Sequence, residues 1–457
     1  MQFEKKKVLV VGAGKSGVAA VKLLLKAGAD VCLQDGNEKL TAEDLEKSVG
    51  NVSVAEGQEL TFKVGELSTE QKGELDYVVL SPGVPTDVPF VNDLRNMGLP
   101  ILGEIELAYL FEKGDVLAIT GTNGKTTTTT LLGEIMENHM QKTFVVGNIG
   151  NPYTDEVQRT TINSVTVAEI SSFQLETVHT FCPVVSAILN VTPDHLNRHH
   201  TMENYVAAKE AIAAKQTKEQ YCVLNYEDEY TRDFADRCSA TPVLFASAHE
   251  LSDGFYYKDE CIYKAKEGNS EKLMNVHEMK LLGIHNVENV MAAIAMADAY
   301  GVPMETILET VRGFDAVEHR IEFVATKNGV DYYNDSKGTN PDASIKAVQA
   351  MVKPTYLIGG GSEKGSTYDE WIESFDGKIV AFVLLGQTRE AIAACAKRHG
   401  FENCVMVGSM QEAVDYCYSH AKAGEAVLLS PACASFDMFK NYEERGDVFK
   451  NMVHALK

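Results

Sequence analysis

Lys125 ends a short glycine loop, GTNGKTT at 121–127, that follows an apolar stretch and opens a helical one. Gly121 and Gly124 let backbone N–H groups converge on phosphate oxygens, the lysine adds a mobile positive charge, and the hydroxyl of Thr126 suits Mg2+. The loop is shorter than a full Walker A, because Ile119 stands where the first glycine of that motif would fall. G-x-x-G-K-T between a strand and a helix still points to ATP. A second loop, GAGKSG at 12–17, matches G-x-G-x-x-G, and Asp35 ends the next apolar stretch where a ribose-binding acid belongs. That fingerprint reports a tight turn and a helix N-terminus that attracts phosphate; NAD, a UDP-type ligand and a purely structural turn all fit it.

Further along, Glu169 closes SVTVAEI, where a carboxylate faces a phosphate loop from a neighbouring strand. His195, in NVTPDHLNRHH after the apolar VVSAILNV, is a candidate metal ligand or substrate contact. His195, His199 and His200 together invite a zinc reading, but H-E-x-x-H is absent and no cysteine is close, so His199 and His200 are expected to be solvated. Lys209, in NYVAAKEAIAA, falls on an expected amphipathic helix, where a lysine is ordinarily a solvated charge. HRIE at 319–322, NDSKGTNP at 334–341, GGGSEKG at 359–365 and SPACASFD at 430–437 each combine turn residues with a cation or a hydroxyl. Singly these are loops; with the two upstream regions they are what a site closed by domain movement requires.

The elements that must hold these residues come in three restarts. KKVLVVGAGKSGVAAVKLLLKAGADVCLQD reads as strand, glycine turn, amphipathic helix and strand, a βαβ unit of the doubly wound kind, and a second cycle ends in YVVLSPGV at 77–84. The pattern begins again near residue 112 with DVLAITGTNGKTTTTTLLGEIM, and once more after a linker near 312–318, with the short apolar strands of PTYLIGGG, IVAFVLLG and EAVLLSPACASFD. A chain of 457 residues suits about three domains, here 1–112, 113–315 and 316–457. With 45% hydrophobic and 23% charged residues it is globular, which excludes wholesale disorder and a fibrous architecture. A formal charge of -23 opposes nucleic acid and anionic membranes, although a local lysine-bearing loop still accommodates a small anion. The nine cysteines contain no CxxC pair and suit reduced thiols. The absence of any apolar run near 18 residues, and an opening that turns glycine-rich too soon for a secretory signal, lead to the expectation of a cytoplasmic protein.

Taken in order, GTNGKTT, AEISSFQLE, NVTPDHLNRH, YVAAK, HN followed by Asn289, HR, NDSKGTN and SPACASFDMFKNYEERG resemble the Mur ligase family across almost the whole chain. SSFQLE and SPACASFDMF resemble its D-glutamate-adding branch. The resemblance implies an α/β fold of three domains: a Rossmann-like N-terminal domain for the UDP substrate, a central P-loop ATPase-like domain, and a mobile C-terminal Rossmann-like domain for the amino acid. It implies an ADP-forming acid–amino-acid ligase that joins D-glutamate to UDP-N-acetylmuramoyl-L-alanine through an acyl phosphate, in cytoplasmic peptidoglycan precursor synthesis.

The same resemblance carries roles onto residues. The UDP substrate is expected at Lys15, Ser16, Asp35 and Gly83, and its reacting end at Asn148, Ser171, Gln174 and His195. Gly36 departs from a pattern in which a hydroxyl residue follows the acid, which removes one expected uracil contact. ATP is expected on Gly121, Thr122, Asn123, Gly124, Lys125, Thr126 and Thr127, with Asn289, Arg320, Asp335 and Lys337. Two Mg2+ ions are implied, one at Thr126 and Glu169, the other at His195 and a carbamylated Lys209, whose added oxygens turn a repelling cation into a ligand. Lys125, His195 and Lys209 are the expected catalytic residues. Thr339 and Lys364 are expected to hold one carboxylate of D-glutamate and Ser435 the other, with Tyr442 lining the site. A monomer without nucleic-acid or membrane partners is expected. A dehydrogenase would have no use for GTNGKTT, a nucleotide switch would not need the lysine-bearing third region, and a folylpolyglutamate synthase, which shares the ATP core, is disfavoured by the GAGKSG domain.

Overall fold

The computed structural model describes residues 3–315, 318–363 and 365–457. Among them the three restarts become three sheets. The first contains β1 (Lys7–Val11), β2 (Asp30–Asp35), β3 (Leu60–Val64), β4 (Tyr77–Leu80) and β5 (Ile101–Gly103), all parallel in the order β3-β2-β1-β4-β5. Its central strands are apolar runs because helices cover both faces of such a sheet. The turn after β1 depends on glycine: a Cβ at Gly17 would lie 1.8 Å from the carbonyl oxygen of Gly12, so only glycine lets the helix Lys15–Lys26 start this close to the strand.

The second sheet runs through β6 (Asp115–Thr120), β7 (Thr143–Gly147), β8 (Val165–Glu169), β9 (Val185–Ile188), β10 (Tyr221–Asn225), β11 (Thr241–Ala246), β12 (Gly254–Lys258), β13 (Cys261–Lys266) and β14 (Asn269–Asn275). Its order is β14-β13-β12-β11-β10-β9-β6-β8-β7, parallel from β7 to β12 and antiparallel beyond. The third comprises β15 (Glu322–Lys327), β16 (Val330–Asn334), β17 (Thr355–Gly359), β18 (Ile379–Leu384), β19 (Cys404–Met406) and β20 (Ala426–Leu429), ordered β15-β16-β20-β17-β18-β19, with only the β15 edge antiparallel.

The first two sheets lie in one compact unit, ending at Asn275 and including Glu288–Val311; the third lies in another, Val276–Val287 with Arg312–Lys457. Two buried acids tie the first two sheets together. Oε1 of Glu104 accepts from the backbone and hydroxyl of Thr154 at 2.7 and 2.8 Å. Glu106 accepts from the backbone N–H groups of His179, Thr180 and Phe181. One apolar core joins the helix Lys15–Lys26 to Tyr153 and Val157 of the central region. Among the described residues no helix is long and apolar enough to cross a membrane.

Candidate active site

The central glycine loop joins β6 to the helix Lys125–His139. Gly124 caps that helix at φ 86, a left-handed conformation that suits glycine, and a Cβ there would lie 2.1 Å from Oδ1 of Asn289. The side chain of Asn289 is thereby packed against the loop. Lys125 Nζ donates to the carbonyl oxygens of Gly121 and Thr122, both at 2.9 Å, which brings the ammonium over the loop. The loop is clamped from the chain after β9. Asn190 Oδ1 accepts from Asn123 N at 2.8 Å, its carbonyl accepts from Thr122 N at 2.9 Å, and Thr122 Oγ1 meets Tyr205 Oη at 3.0 Å. Thr126 and Thr127 point inward, and Thr127 Oγ1 has no hydrogen-bond partner among the described residues.

Glu169 ends β8, the strand beside β6, in register with Ile119. Its Oε1 accepts from Asn148 Nδ2 at 2.8 Å, while the buried Oε2 has no partner among the described residues. An orphaned carboxylate oxygen one strand away from Thr126 is what a hard cation requires, so these residues fit Mg2+.

Lys209 overturns the solvated-charge expectation. The helix Met202–Glu210 buries it with Tyr205 and Val206, leaving it 1% exposed with Nζ 4.5 Å from the centre of the Tyr205 ring. Tyr205 lies one turn back on the same helix, whereas the neighbouring charges of Lys125, Asp194 and Asp228 come from other segments, which helical periodicity does not encode. Burial first, and then the charge of Lys125, push its ammonium well below the ordinary lysine range, against the opposing pull of Asp194 and Asp228. Burial and Lys125 thus both act against the charged form of this side chain.

His199 also departs from expectation: it is buried, with Nε2 2.9 Å from Ser172 Oγ and Nδ1 3.5 Å from Glu176 Oε1. His200 is exposed and faces Asp87 at 2.9 Å. His195 lies edge-on to Phe173 at 4.9 Å, with Nε2 3.6 Å from Asp194. His195 and His199 both pack on Phe173, the latter at 5.5 Å, but their ring nitrogens face Asp194 in one case and Ser172 and Glu176 in the other, and His200 faces Asp87, so the three do not converge as zinc ligands would.

A cleft of about 600 Å3 joins the first glycine loop to the central region and brings together Lys15, Ser16, Asp35, Gly83, Asn148 and Gln174. Asp35 shapes its floor, because Oδ2 accepts from Ala13 N and Oδ1 from Asn37 N, both at 2.9 Å. Ser171 sits just outside the cleft lining as the cap of the helix Ser172–Leu175, paired reciprocally with Gln174 and so fixing that side chain. Arg198 pairs with Glu176 at 2.7 Å and donates to the carbonyl of Val84 at 3.1 Å, which anchors the SPGV turn.

In the second unit the loops after β16 and β20 meet. Asp335 is 3% exposed, accepts from Ser430 Oγ at 2.7 Å, and is pushed up to about 7 by burial. Arg320 acts on it as a nearby positive charge, and its buried Nε lacks a partner among the described residues. The backbone around Arg320 is bent, with His319 at φ 65 and the β-branched Ile321 at φ 46, and Lys337 N holds the carbonyl of His319 at 3.0 Å. Lys337 Nζ lies 5.5 Å from the ring centre of Tyr442. Thr339 follows in the same turn, its N–H bonded to the carbonyl of Lys337. Ser435 is buried, and its carbonyl accepts from Met438 and Phe439. Lys364 lies outside the described residues.

Family models match in chain order: a Mur ligase MurD-like N-terminal domain at 6–103, a Mur ligase middle domain at 119–297 and a Mur ligase glutamate ligase domain at 319–433. The chain belongs to the Mur ligase family. It is 56% identical to a UDP-N-acetylmuramoylalanine–D-glutamate ligase of Lachnoclostridium phytofermentans and 44% identical to one of Clostridioides difficile, with 100% of both chains covered in each case. Among solved structures it shares its fold with the MurF ligase of Acinetobacter baumannii, at TM-score 0.62, 16% identity and coverage of 97% of this chain and 93% of the other. The UDP-N-acetylmuramate-alanine ligase of Thermotoga maritima matches at TM-score 0.59, 20% identity and coverage of 98% and 99%.

Within this Mur ligase chain, two supporting residues had no signal in spacing. Asn190 looks like an ordinary residue at the end of an apolar stretch, yet it holds the central loop from both sides of its amide. Arg445 looks like a helix-surface cation, yet it is 2% exposed. It donates to Ser336 Oγ and the Ser336 carbonyl, and also to the carbonyl of Cys433, so it binds the 334–341 and 430–437 loops to each other.

Proposed function

We propose that this chain is an ATP-dependent, ADP-forming ligase that joins D-glutamate to UDP-N-acetylmuramoyl-L-alanine through an acyl phosphate, in cytoplasmic peptidoglycan precursor synthesis. It thereby serves cell-wall biogenesis, cell shape and cell division. The observation that carries the reading is Glu169: a buried carboxylate with one oxygen unpartnered among the described residues, beside a lysine-bearing glycine loop, and bonded through its other oxygen to Asn148 in the wall of the substrate cleft. The choice of D-glutamate draws support from the names of the full-length relatives. The domains are 1–112 for the UDP substrate, 113–315 for ATP and 316–457 for the amino acid.

The chemistry is set by charge. A substrate carboxylate must attack the γ-phosphate of ATP, and two anions repel. Lys125 places an ammonium over the phosphate loop to offset that repulsion, and Gly121 to Thr127 supply N–H donors and hydroxyls to the phosphates. Mg2+, held by Thr126 and Glu169 at one position and by His195 and Lys209 at the other, supplies further charge neutralisation when bound. Lys209 takes part as a carbamate: its neutral amine forms an N–C bond to CO2 and releases a proton to solvent, leaving an anionic oxygen ligand. The UDP portion occupies the cleft at Lys15, Ser16, Asp35 and Gly83, and Asn148, Ser171, Gln174 and His195 orient the L-alanyl end. Asn289, Arg320, Asp335 and Lys337 contact the nucleotide, and Thr339, Lys364, Ser435 and Tyr442 receive D-glutamate. Attack of the amine on the acyl phosphate gives a tetrahedral centre that expels phosphate and leaves the amide.

The test is phosphate release with ATP and UDP-N-acetylmuramoyl-L-alanine, offering D-glutamate, L-glutamate, meso-diaminopimelate and L-lysine in turn. D-glutamate should be used in strong preference. Preference for another amino acid would reject the assignment within the family, and turnover that persists in excess chelator would reject the metal-assisted step.

A further inference from the structure

We propose that Asp369, Cys395 and His399 form a zinc-binding site in the C-terminal unit, apart from every residue assigned to nucleotide, substrate or amino acid. Cys395 lies in the helix Arg389–Arg398 and His399 caps its end, so the two are four residues apart and share one face. Asp369 opens the neighbouring helix Asp369–Glu373. A thiol sulfur, an imidazole nitrogen and a carboxylate oxygen from the three residues all lie within 4.8 Å of one another. His399 Nε2 is 2.8 Å from Asp369 Oδ1.

The donor set decides the metal. Sulfur and imidazole suit zinc and disfavour Mg2+ and Ca2+, which take oxygen. Tetrahedral zinc with bonds of about 2.0–2.3 Å places its donors about 3.5 Å apart, so small side-chain adjustments bring this trio into range, with water as the fourth ligand. The other ring nitrogen of His399 already faces a carboxylate, Glu373 Oε1 at 3.5 Å, as ligating histidines require for orientation. Arg398 is the opposing group: it donates to Asp369 Oδ1 at 3.1 Å, but its side chain is 61% exposed and can turn to solvent. On binding, the Cys395 S–H bond breaks, the proton goes to water and sulfur bonds the metal.

A second cluster, Glu318, His319 and Asp447, shows what a filled arrangement looks like. There the ammonium of Lys450 pairs with Glu318, Glu322 and Asp447 and already occupies the cation's place. The Asp369 site has no such embedded lysine among the described residues, and zinc there would clip two helices of the third sheet together.

The experiment titrates the full chain with Co2+, a spectroscopic substitute for zinc, in excess Mg2+. One equivalent should give a thiolate-to-cobalt charge-transfer band that added Zn2+ bleaches. Cys395→Ser should abolish the band, and His399→Ala, a change at an exposed position, should weaken Zn2+ binding at least tenfold in chelator competition while leaving ligase activity in zinc-free, Mg2+-containing buffer unchanged. The absence of a band in the unaltered chain, its persistence in Cys395→Ser, or equal zinc affinity in His399→Ala would overturn the proposal. Should Cys395→Ser fail to fold, His399→Ala decides alone.

Discussion

The two glycine loops of the first unit have the same local plan: a buried parallel strand, a glycine turn and a helix that begins on lysine. Their surroundings differ. At the first, Lys15 is exposed and the turn is ordered by one carboxylate, Asp35, so the loop becomes one wall of a wide cleft. At the second, Asn190, Tyr205 and Asn289 close on the loop from three other segments, and Lys125 lies folded over its carbonyls. A glycine turn thus offers only N–H groups and a helix end; the segments packed around it set which phosphate-bearing molecule it takes and what is done to it.

The largest expected effect tests whether the second loop alone carries the chemistry. Lys125→Ala should lower substrate-dependent phosphate release by at least about 10³-fold with an unchanged circular dichroism spectrum, whereas Lys15→Ala should chiefly raise KM for the UDP substrate. Similar losses of kcat in the two variants would erase the distinction drawn between the loops.

Next comes the buried lysine behind the second loop, which has no counterpart at the first. Lys209→Ala should lose more than about 10²-fold in kcat, and added acetate, entering the vacated space, should restore part of the rate. Full activity of Lys209→Ala, or of the unaltered enzyme after rigorous CO2 removal, would show that no carbamate is needed.

The supporting residues should separate the loops by ligand. Removing one amide clamp with Asn190→Ala should raise KM for ATP about tenfold, in keeping with the loss of one to two kcal/mol of buried hydrogen bonding, and leave KM for the UDP substrate nearly unchanged. Asp35→Ala should do the reverse. Steady-state kinetics with each substrate varied in turn gives the answer, and a shared KM effect in both variants would mean that the loops are coupled.

The last effect is on stability and leaves turnover aside: it concerns another acid, Asp335, buried where Asp35 is not. Its folded value of about 7 lies above the usual 3.8, so between those values the folded chain holds a proton that the unfolded chain has lost. Stability from the protonated form is complete below about pH 4 and is lost as pH rises through about 7. Asp335→Asn stays neutral, so its stability advantage over the ligand-free unaltered chain should widen by up to about 1.4 kcal/mol per pH unit across that window and then level off. Trp371, the single tryptophan, is buried in the second unit and reports its unfolding by fluorescence. An advantage that is the same at pH 5 and pH 8 would contradict the shift.

Much of this was legible in the chain itself. The strands β1, β6, β8, β9, β17, β18 and β20 are apolar runs that end in glycine or polar turns, and short-range sterics and burial on both faces determine such elements locally. Strand β14, NSEKLMN, was not legible, because a mostly exposed antiparallel extension carries no apolar run. Motif order across 457 residues named the family, since residues that must meet a triphosphate and a carboxylate are constrained in type wherever they fall.

What tertiary structure alone decided is the electrostatic state of those residues. Periodicity treats Lys209 and His199 as surface charges; in the fold Lys209 is buried near Lys125, Asp194 and Asp228, and His199 is buried against Ser172 and Glu176. The same holds for the Glu169 oxygen unpartnered among the described residues, the raised carboxyl of Asp335 and the loop-bridging Arg445. The sequence by itself determined which groups are present and in what order. Desolvation and the nearest charges, contributed by segments far away in the chain, decided their protonation and reach, because a group's pKa depends on everything within a few ångströms and not on its neighbours in sequence.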